Sequence, residues 1–321
     1  MRVRPIRIFV ILVASLIPIT LAAIFIFLTL YSWPAIQFNG VHFLFGRIWD
    51  LGNLYRNPVM VHGTSVPLGA NYGILVFIVG TLATSFIALL LSLPISLLVA
   101  MFLAEGVQEQ FRPALSLVVE LLASVPSVVY GLWGYAVLIP FVEHFLGPAL
   151  ASVAGFIPFF SGPVSSGYGL LTASLVLAIM TVPIITSTVY SGLIRVPREI
   201  KEATFALGAT RFEVVRKVML PSVRKNVIGA VILGLGRALG ETMAVLMVSG
   251  GALNYLPGTI YSPITTMAAF IVSQLDSALQ DPTGMAVHSL AEIALVLLMI
   301  AVLVNIVARA LTGGQGHVAY G

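Results

Sequence analysis

Residues 191–226 read SGLIRVPREIKEATFALGATRFEVVRKVMLPSVRKN, and they hold Arg195, Arg198, Lys201, Arg211, Arg216, Lys217, Arg224 and Lys225. These are 8 of the chain's 16 Lys and Arg residues. On either side lie apolar runs of membrane-spanning length. A basic, structured island between two such runs marks a polytopic membrane protein, and it is where such a protein meets a soluble partner.

Composition supports this reading. The 321 residues are 59% hydrophobic and 9% charged, with a mean hydropathy of +1.06. A soluble domain carries about 25% charged residues. About 20 apolar residues cross a bilayer core of roughly 30 Å, and six stretches qualify: 8–30, 74–103, 114–141, 168–190, 227–249 and 286–310. The fold expected is all-α and polytopic, a single membrane domain over 1–321. The absence of cysteine excludes disulfides and thiolate chemistry. The pI near 9.5 does not point to nucleic acid, because the charge is concentrated in one inter-helical loop. The basic start, Arg2, Arg4 and Arg7, is followed by an apolar run too long for a signal peptide, and it reads as a retained first span.

Cations in short loops mark the cytoplasmic side. Arg2, Arg4 and Arg7 put the N-terminus inside, and six crossings then put 104–113, 191–226 and the C-terminal tail inside. The outer segments 31–73, 142–167 and 250–285 contain only Arg47 and Arg56 as cations. The first of these carries Trp33, Trp49, Tyr55 and Tyr72, suited to an interface or a folded lobe. The second is apolar but broken by Gly and Pro, consistent with a re-entrant or surface-lying helix.

Within the island, Pro197 suits a first helical turn. No breaker follows from Arg198 to Leu207, and Gly208 supplies a left-handed C′ residue. Thr210 and Glu213 have capping-box spacing for a second helix. Phe212, Val215 and Met219 share one face of that helix, and Pro221 is expected to end it. A basic loop resting on anionic lipid needs none of this punctuation. Glu202-Ala203-Thr204, three residues, Gly208, nine residues, and Val218-Met219-Leu220-Pro221 together resemble the "EAA" loop of ABC-transporter permeases, with Thr204 and Val218 as mild departures. The resemblance implies that Glu202, Ala203 and Gly208 dock in a cleft of a separate ATP-hydrolysing subunit, with Leu220 and Pro221 holding the loop's exit. The chain has no G-x-x-x-x-G-K-[ST] phosphate cradle, and no catalytic, cofactor or metal site is expected in it. GLGRALG, 234–240, lies in an apolar span. Gly236 and Gly240 there have the G-x-x-x-G spacing of close helix packing.

Ionisable groups within spans are functional candidates by default. Arg237 and Glu241 are four apart, which would place them on one helical face. Arg237 would lie about 15 Å along the fifth span, near mid-membrane. One reading is an intrahelical ion pair buried for assembly. The other makes the Arg237 guanidinium an anion contact in the pathway, with Glu241 orienting it and accepting a hydrogen bond from a protonated phosphate oxygen. Glu120 is a further candidate pathway residue. Glu120 and Glu292 both lie near span ends, where interfacial solvation or pairing suffices. The histidines, His42, His62, His144, His288 and His317, lack metal-ligand spacing. Asp276 and Asp281 fall in the outer loop before the last span and offer a weak contact for a binding protein.

Glu120-Leu-Leu-Ala-Ser-Val-Pro-Ser-Val-Val-Tyr-Gly-Leu-Trp-Gly134 resembles the third-span signature of phosphate-specific permeases of the PstC type. Arg237-Ala-Leu-Gly-Glu-Thr-Met-Ala-Val245 is similar to their fifth span. Gly80-Thr81-Leu82 and Phe102-Leu103-Ala104-Glu105 extend the likeness. It implies a MetI-like permease fold in a prokaryotic plasma (inner) membrane. The implied complex has a second permease of the PstA type, a dimer of ATPase subunits of the PstB type and an extracytoplasmic phosphate-binding protein of the PstS type. Phosphate is the implied substrate, lipid the surroundings, and nucleic acid no partner. A permease for molybdate or sulfate remains the nearest alternative, and an ion-coupled secondary carrier a more distant one.

Overall fold

The structure, a computed structural model, describes residues 3–164 and 166–313. Arg2 and His317 lie outside them. In chain order, apart from the single turns His42–Phe45 and Pro158–Phe160, the helices are α1 (Val3–Asn39), α2 (Leu75–Gly106), α3 (Arg112–Ser124), α4 (Ser127–Ala154), α5 (Leu170–Leu193) and α6 (Arg198–Ala206). They continue as α7 (Arg211–Ser222), α8 (Arg224–Gly240), α9 (Met243–Val248), α10 (Met267–Ala278) and α11 (Met285–Gly313). Five of them are long and apolar enough to cross a membrane: α1, α2, α4, α5 and α11. Counting the bent pair α7 and α8 as one makes six. The helical polytopic class is as expected, but several boundaries move.

Contacts divide the chain into two compact units, Met1–Leu75 with Ile271–Ile300, and Val76–Phe270 with Ala301–Gly321. In the first, α1 continues past Leu30 to Asn39, so the start of the segment expected to lie outside is helix, followed by a short helix at His42–Phe45. The rest, 49–72, is a nested pair of hairpins. Trp49–Asp50 (β1) pairs with Asn71–Tyr72 (β4), and Val59–Val61 (β2) pairs with Thr64–Val66 (β3). His62 and Gly63 turn the inner hairpin with φ of 50° and 80°, the positive pair that a two-residue turn needs to match strand twist. The buried Trp49 and Tyr72 rings meet edge-on at 4.9 Å and close the outer pair. The Tyr72 phenol is pushed up by burial, with the Asp281 and Asp50 charges adding to it. Glu292 is buried in this unit rather than solvated at an interface. Its carboxylate accepts a 2.8 Å hydrogen bond from Asn39 Nδ2, which satisfies part of an otherwise costly group. Asp281 caps the start of α11, and Asp276 lies on α10 rather than in a loop.

In the second unit, α5 is the central helix, with most of its residues buried. It packs on α3, α8 and α9. α2 bonds to it through Ser96 Oγ, which donates to the Val182 carbonyl at 3.1 Å.

The third span, expected at 114–141, is instead α4. Pro126 disfavours helical geometry at Val125 and has no N–H of its own, so the chain is extended at both residues and α3 stands as a separate helix. α4 then continues through Val142–Ala154, part of the segment expected to be re-entrant. Widened π-type turns at Gly134–Leu138 and Val142–Leu146 sit just before Pro140 and Pro148. There they accommodate carbonyls left without a proline N–H donor.

The fifth span, expected as one helix over 227–249, is also broken. α8 ends at Gly240, Glu241 is extended (ψ 127°), and α9 begins after Thr242. The G-x-x-x-G reading fails within this chain: a Cβ on Gly236 or Gly240 would meet nothing within 4 Å, and it is Gly234 that lies against Ile185.

Candidate functional site

The basic island folds as its punctuation indicates. Pro197 is the N-cap of α6, one place before its first turn. At the other end Gly208 adopts φ +83°. Gly208 N–H donates to the Phe205 carbonyl at 2.9 Å and Ala209 N–H to the Thr204 carbonyl at 3.4 Å, the paired bonds of a Schellman turn. Thr210 then caps α7 reciprocally. Its Oγ1 accepts from Glu213 N at 3.3 Å, and the Glu213 carboxylate accepts from Thr210 N at 3.1 Å.

Glu213 also accepts from Lys217 Nζ at 2.8 Å. That bond, followed by those from Thr210, lowers the carboxyl from 4.5 to about 2. A depressed carboxyl stabilises the folded turn fully above its unfolded value and loses that contribution as pH falls through the folded one. Amide protection factors over 210–214 are therefore expected to fall between about pH 4.5 and 2. In Glu213→Gln this dependence should vanish. Protection in the unmodified chain that stays flat over the window would show that the cap does not hold the turn.

The face of α7 differs from expectation. Val214, Val215 and Met219 are buried and Phe212 is exposed. The cause is a π-type turn over Val214–Met219, whose i→i+5 spacing brings Val214 into line with Met219. Those residues share a core with Ala100 and Ala104 of α2 and with Ile185, Val189 and Leu193 of α5. Pro221 lies inside α7, and the helix ends at Val223, where the chain bends by 74° into α8. Leu220 is half-buried and Pro221 exposed, so the burial at the exit falls on Met219 and Val223.

α6 has no buried residue. Glu202, Ala203 and Gly208 are all exposed, as a docking surface requires. Sequence reading missed their apolar neighbours: Ile200, Phe205 and above all Leu207, which is 89% exposed. The signal in the sequence was Leu207 itself, an apolar residue directly before the glycine that closes a charged helix. Also missed was the ion pair at 2.6 Å from Lys201 Nζ to Glu105 Oε1, at the end of α2.

The second candidate locus lies where the two helix breaks meet. α4, just after the break at Val125–Pro126, packs against α9, just after the break at Glu241–Thr242. Contact is close enough that a Cβ on Gly131 would come within 2.9 Å of Ala244 Cα, and one on Gly134 within 3.1 Å of Val248 Cγ1. Tyr130 spans the first break by donating from its hydroxyl to the Leu122 carbonyl at 2.8 Å. The Arg237 guanidinium lies close enough to act electrostatically on Tyr130. It is half-buried, and its Nε is buried without an acceptor among the described residues.

Arg237 and Glu241 do not share a helical face, because α8 stops between them. No ion pair joins them among the described residues. The Glu241 carboxylate instead takes a long 3.5 Å bond from Ala244 N–H at the start of α9. Glu120 is exposed on α3, outside the long third helix. The structure thus separates Glu241 from Arg237 and joins it to the start of α9.

Residues 96–314 match the family model described as "Binding-protein-dependent transport system inner membrane component". The chain is 48% identical over 278 residues to the phosphate transport system permease protein PstC 1 of Mycobacterium tuberculosis, a match covering 86% of this chain and 82% of that one. It is 39% identical over 302 residues to the phosphate transport system permease protein PstC of Haemophilus influenzae, covering 93% and 89%. Among solved structures it is similar in fold to a chain of the inward-facing MetNI methionine ABC transporter. The TM-score there is 0.50 at 18% identity, over 74% of this chain and 95% of that one.

Proposed function

The chain belongs to the family of binding-protein-dependent transport system inner membrane components, and from that premise we infer that it is the PstC-type permease subunit of an ATP-driven importer of inorganic phosphate. It is a membrane subunit of an ABC transporter. What carries the reading is the similarity, across most of both chains, to permeases named for phosphate transport.

On this reading 1–321 acts as one permease domain and forms half of the pathway, with a PstA-type permease forming the other half. Hydrolysis of ATP falls to a dimer of PstB-type subunits, and a PstS-type protein delivers phosphate from outside. The basic island faces the cytoplasm with both termini, following the distribution of Lys and Arg. The exposed face of α6, with Glu202, Ala203 and Gly208, receives the ATPase, while Leu220 and Pro221 lead the chain back to the membrane.

Arg237 is the anion contact. Its buried Nε, without an acceptor among the described residues, is a donor awaiting one. A planar guanidinium matches two phosphate oxygens at once. Glu241, at the mouth of α9, is placed to accept a hydrogen bond from a protonated phosphate oxygen, rather than to orient Arg237. Glu120 lies on the exposed face of α3 and takes a lesser part in the pathway. Closure of the ATPase dimer on ATP would move α6, and alternating access would release phosphate inward.

The deciding experiment is ATP-dependent uptake by the complex in vesicles, loaded with the phosphate-binding protein. Labelled phosphate should enter, with arsenate competing and sulfate and molybdate without effect. Uptake of sulfate or molybdate in place of phosphate would overturn the substrate assignment.

A further inference from the structure

The exposed helix α6 buries nothing of its own, so any force it receives must leave it through its chain ends or through a side-chain contact. Two ion pairs provide such contacts, both to the segment at the end of α2. Arg198 Nη2 approaches Glu109 at 3.6 Å, but both side chains are about four-fifths exposed, and water and salt screen such a pair heavily. Lys201 Nζ reaches Glu105 Oε1 at 2.6 Å, with the two side chains only 17% and 23% exposed. Glu105 stands in a π-type turn, Phe102–Gly106, that also buries Leu103 and Ala104. Further up α2, Ser96 bonds to α5. A rigid path therefore runs from α6 through one short, sheltered ion pair into two span helices.

We propose that Lys201 and Glu105 form the strut that passes motion of the docking helix to α2, and so are positioning residues for coupling ATP hydrolysis to transport. The proposal rests on the reading that α6 receives the ATPase. The competing path is the α7 core, where Val214, Val215 and Met219 lie with Ala100 and Ala104. That path would leave transport indifferent to the ion pair.

The test uses the whole complex in vesicles, with Lys201→Met, Glu105→Gln and the exchanged pair Lys201→Glu with Glu105→Lys. Both single variants should still co-purify with the ATPase and hydrolyse ATP. Phosphate moved per ATP should fall about tenfold in each, within the range for breaking one coupled pair, and the exchanged pair should recover most of it. A loss of packing alone would lower yield without changing this ratio.

A second measurement needs no substrate: hydrogen exchange over 98–106 with and without ATP. The nucleotide response there should be present in the unmodified complex, lost in both single variants and regained in the exchanged pair. A response and a ratio unchanged in both single variants would overturn the strut, as would an exchanged pair that assembles yet recovers nothing. Failure of the unmodified complex to move phosphate, with the exchange response behaving as expected, would count against the substrate assignment alone.

Discussion

Arg237→Gln is expected to abolish phosphate uptake while the complex still assembles. Glutamine is polar and can donate, but it is shorter, carries no charge and cannot present two parallel N–H groups to one phosphate. Charge-assisted hydrogen bonds contribute about 1.5–3 kcal/mol each, so losing the bidentate pair reduces binding by about a hundredfold or more. Arg237 makes no ion pair among the described residues that its removal would strand, and its Nε is already without an acceptor. Removing the charge should therefore cost the fold little. The measurement is initial uptake rate against phosphate concentration in vesicles, with yield of the purified complex as the assembly control. Uptake within a factor of two of the unmodified complex would remove Arg237 from the pathway. Arg237→Lys is an informative intermediate, since it restores charge without the planar fork.

Gly208→Val and Gly208→Asn are both expected to release the ATPase from the membrane subunits, for reasons that can be separated. At φ +83° a β-branched residue is strained by about 1–2 kcal/mol, so valine opposes the Schellman turn itself. Asparagine tolerates the left-handed region and should leave the turn intact. A Cβ at this position meets nothing within 4 Å in this chain, so any penalty of the asparagine variant must come from a partner pressed against the glycine. Loss of co-purification with both residues would place the ATPase directly on Gly208. Retention with asparagine and loss with valine would show that only the turn matters and that the contact lies elsewhere on α6. The amide pattern over 204–214 checks that the turn has survived.

The features that could be read from the sequence were those fixed by neighbours in the chain. Pro197, Gly208 and the Thr210–Glu213 cap each act over a few residues; the last two fold as read, and Pro197 falls one place before the first turn. Hydropathy marked the first, second, fourth and last long helices for a similar reason, since a run of apolar residues needs no knowledge of what surrounds it, whereas the third moved to Ser127–Ala154. The breaks were harder, and unequally so. Pro126 was visible and its consequence should have been drawn, because proline restrains the residue before it as well as its own position. The break at Glu241–Thr242 has no proline. It is held by α9 packing on Gly131 of a helix more than a hundred residues earlier, and helical spacing therefore placed Arg237 and Glu241 on a face that does not exist. The Lys201–Glu105 pair spans 96 residues and was beyond any local pattern. The hairpins at 49–72 escaped notice because the inner turn uses His62–Gly63 where Asn–Gly would have been conspicuous, and the strands are only two or three residues long. Of the pathway candidates, Arg237 owed its visibility to charge alone. Tyr130, which bridges the break at Val125–Pro126, looked like one more aromatic residue in a span.

The tight contact of Gly131 with Ala244 also bears on how this chain can change over generations. What a new side chain at Gly131 would strike is a backbone atom, and no substitution at Ala244 can make that atom smaller. The position is closed to drift by the chain's own architecture. Gly236 and Gly240 are the reverse case, since nothing among the described residues would resist a methyl group at either. Lineages that nonetheless keep glycine at those two places would be preserving a fit to something outside this polypeptide, and such persistence would trace the imprint of a neighbouring subunit on α8.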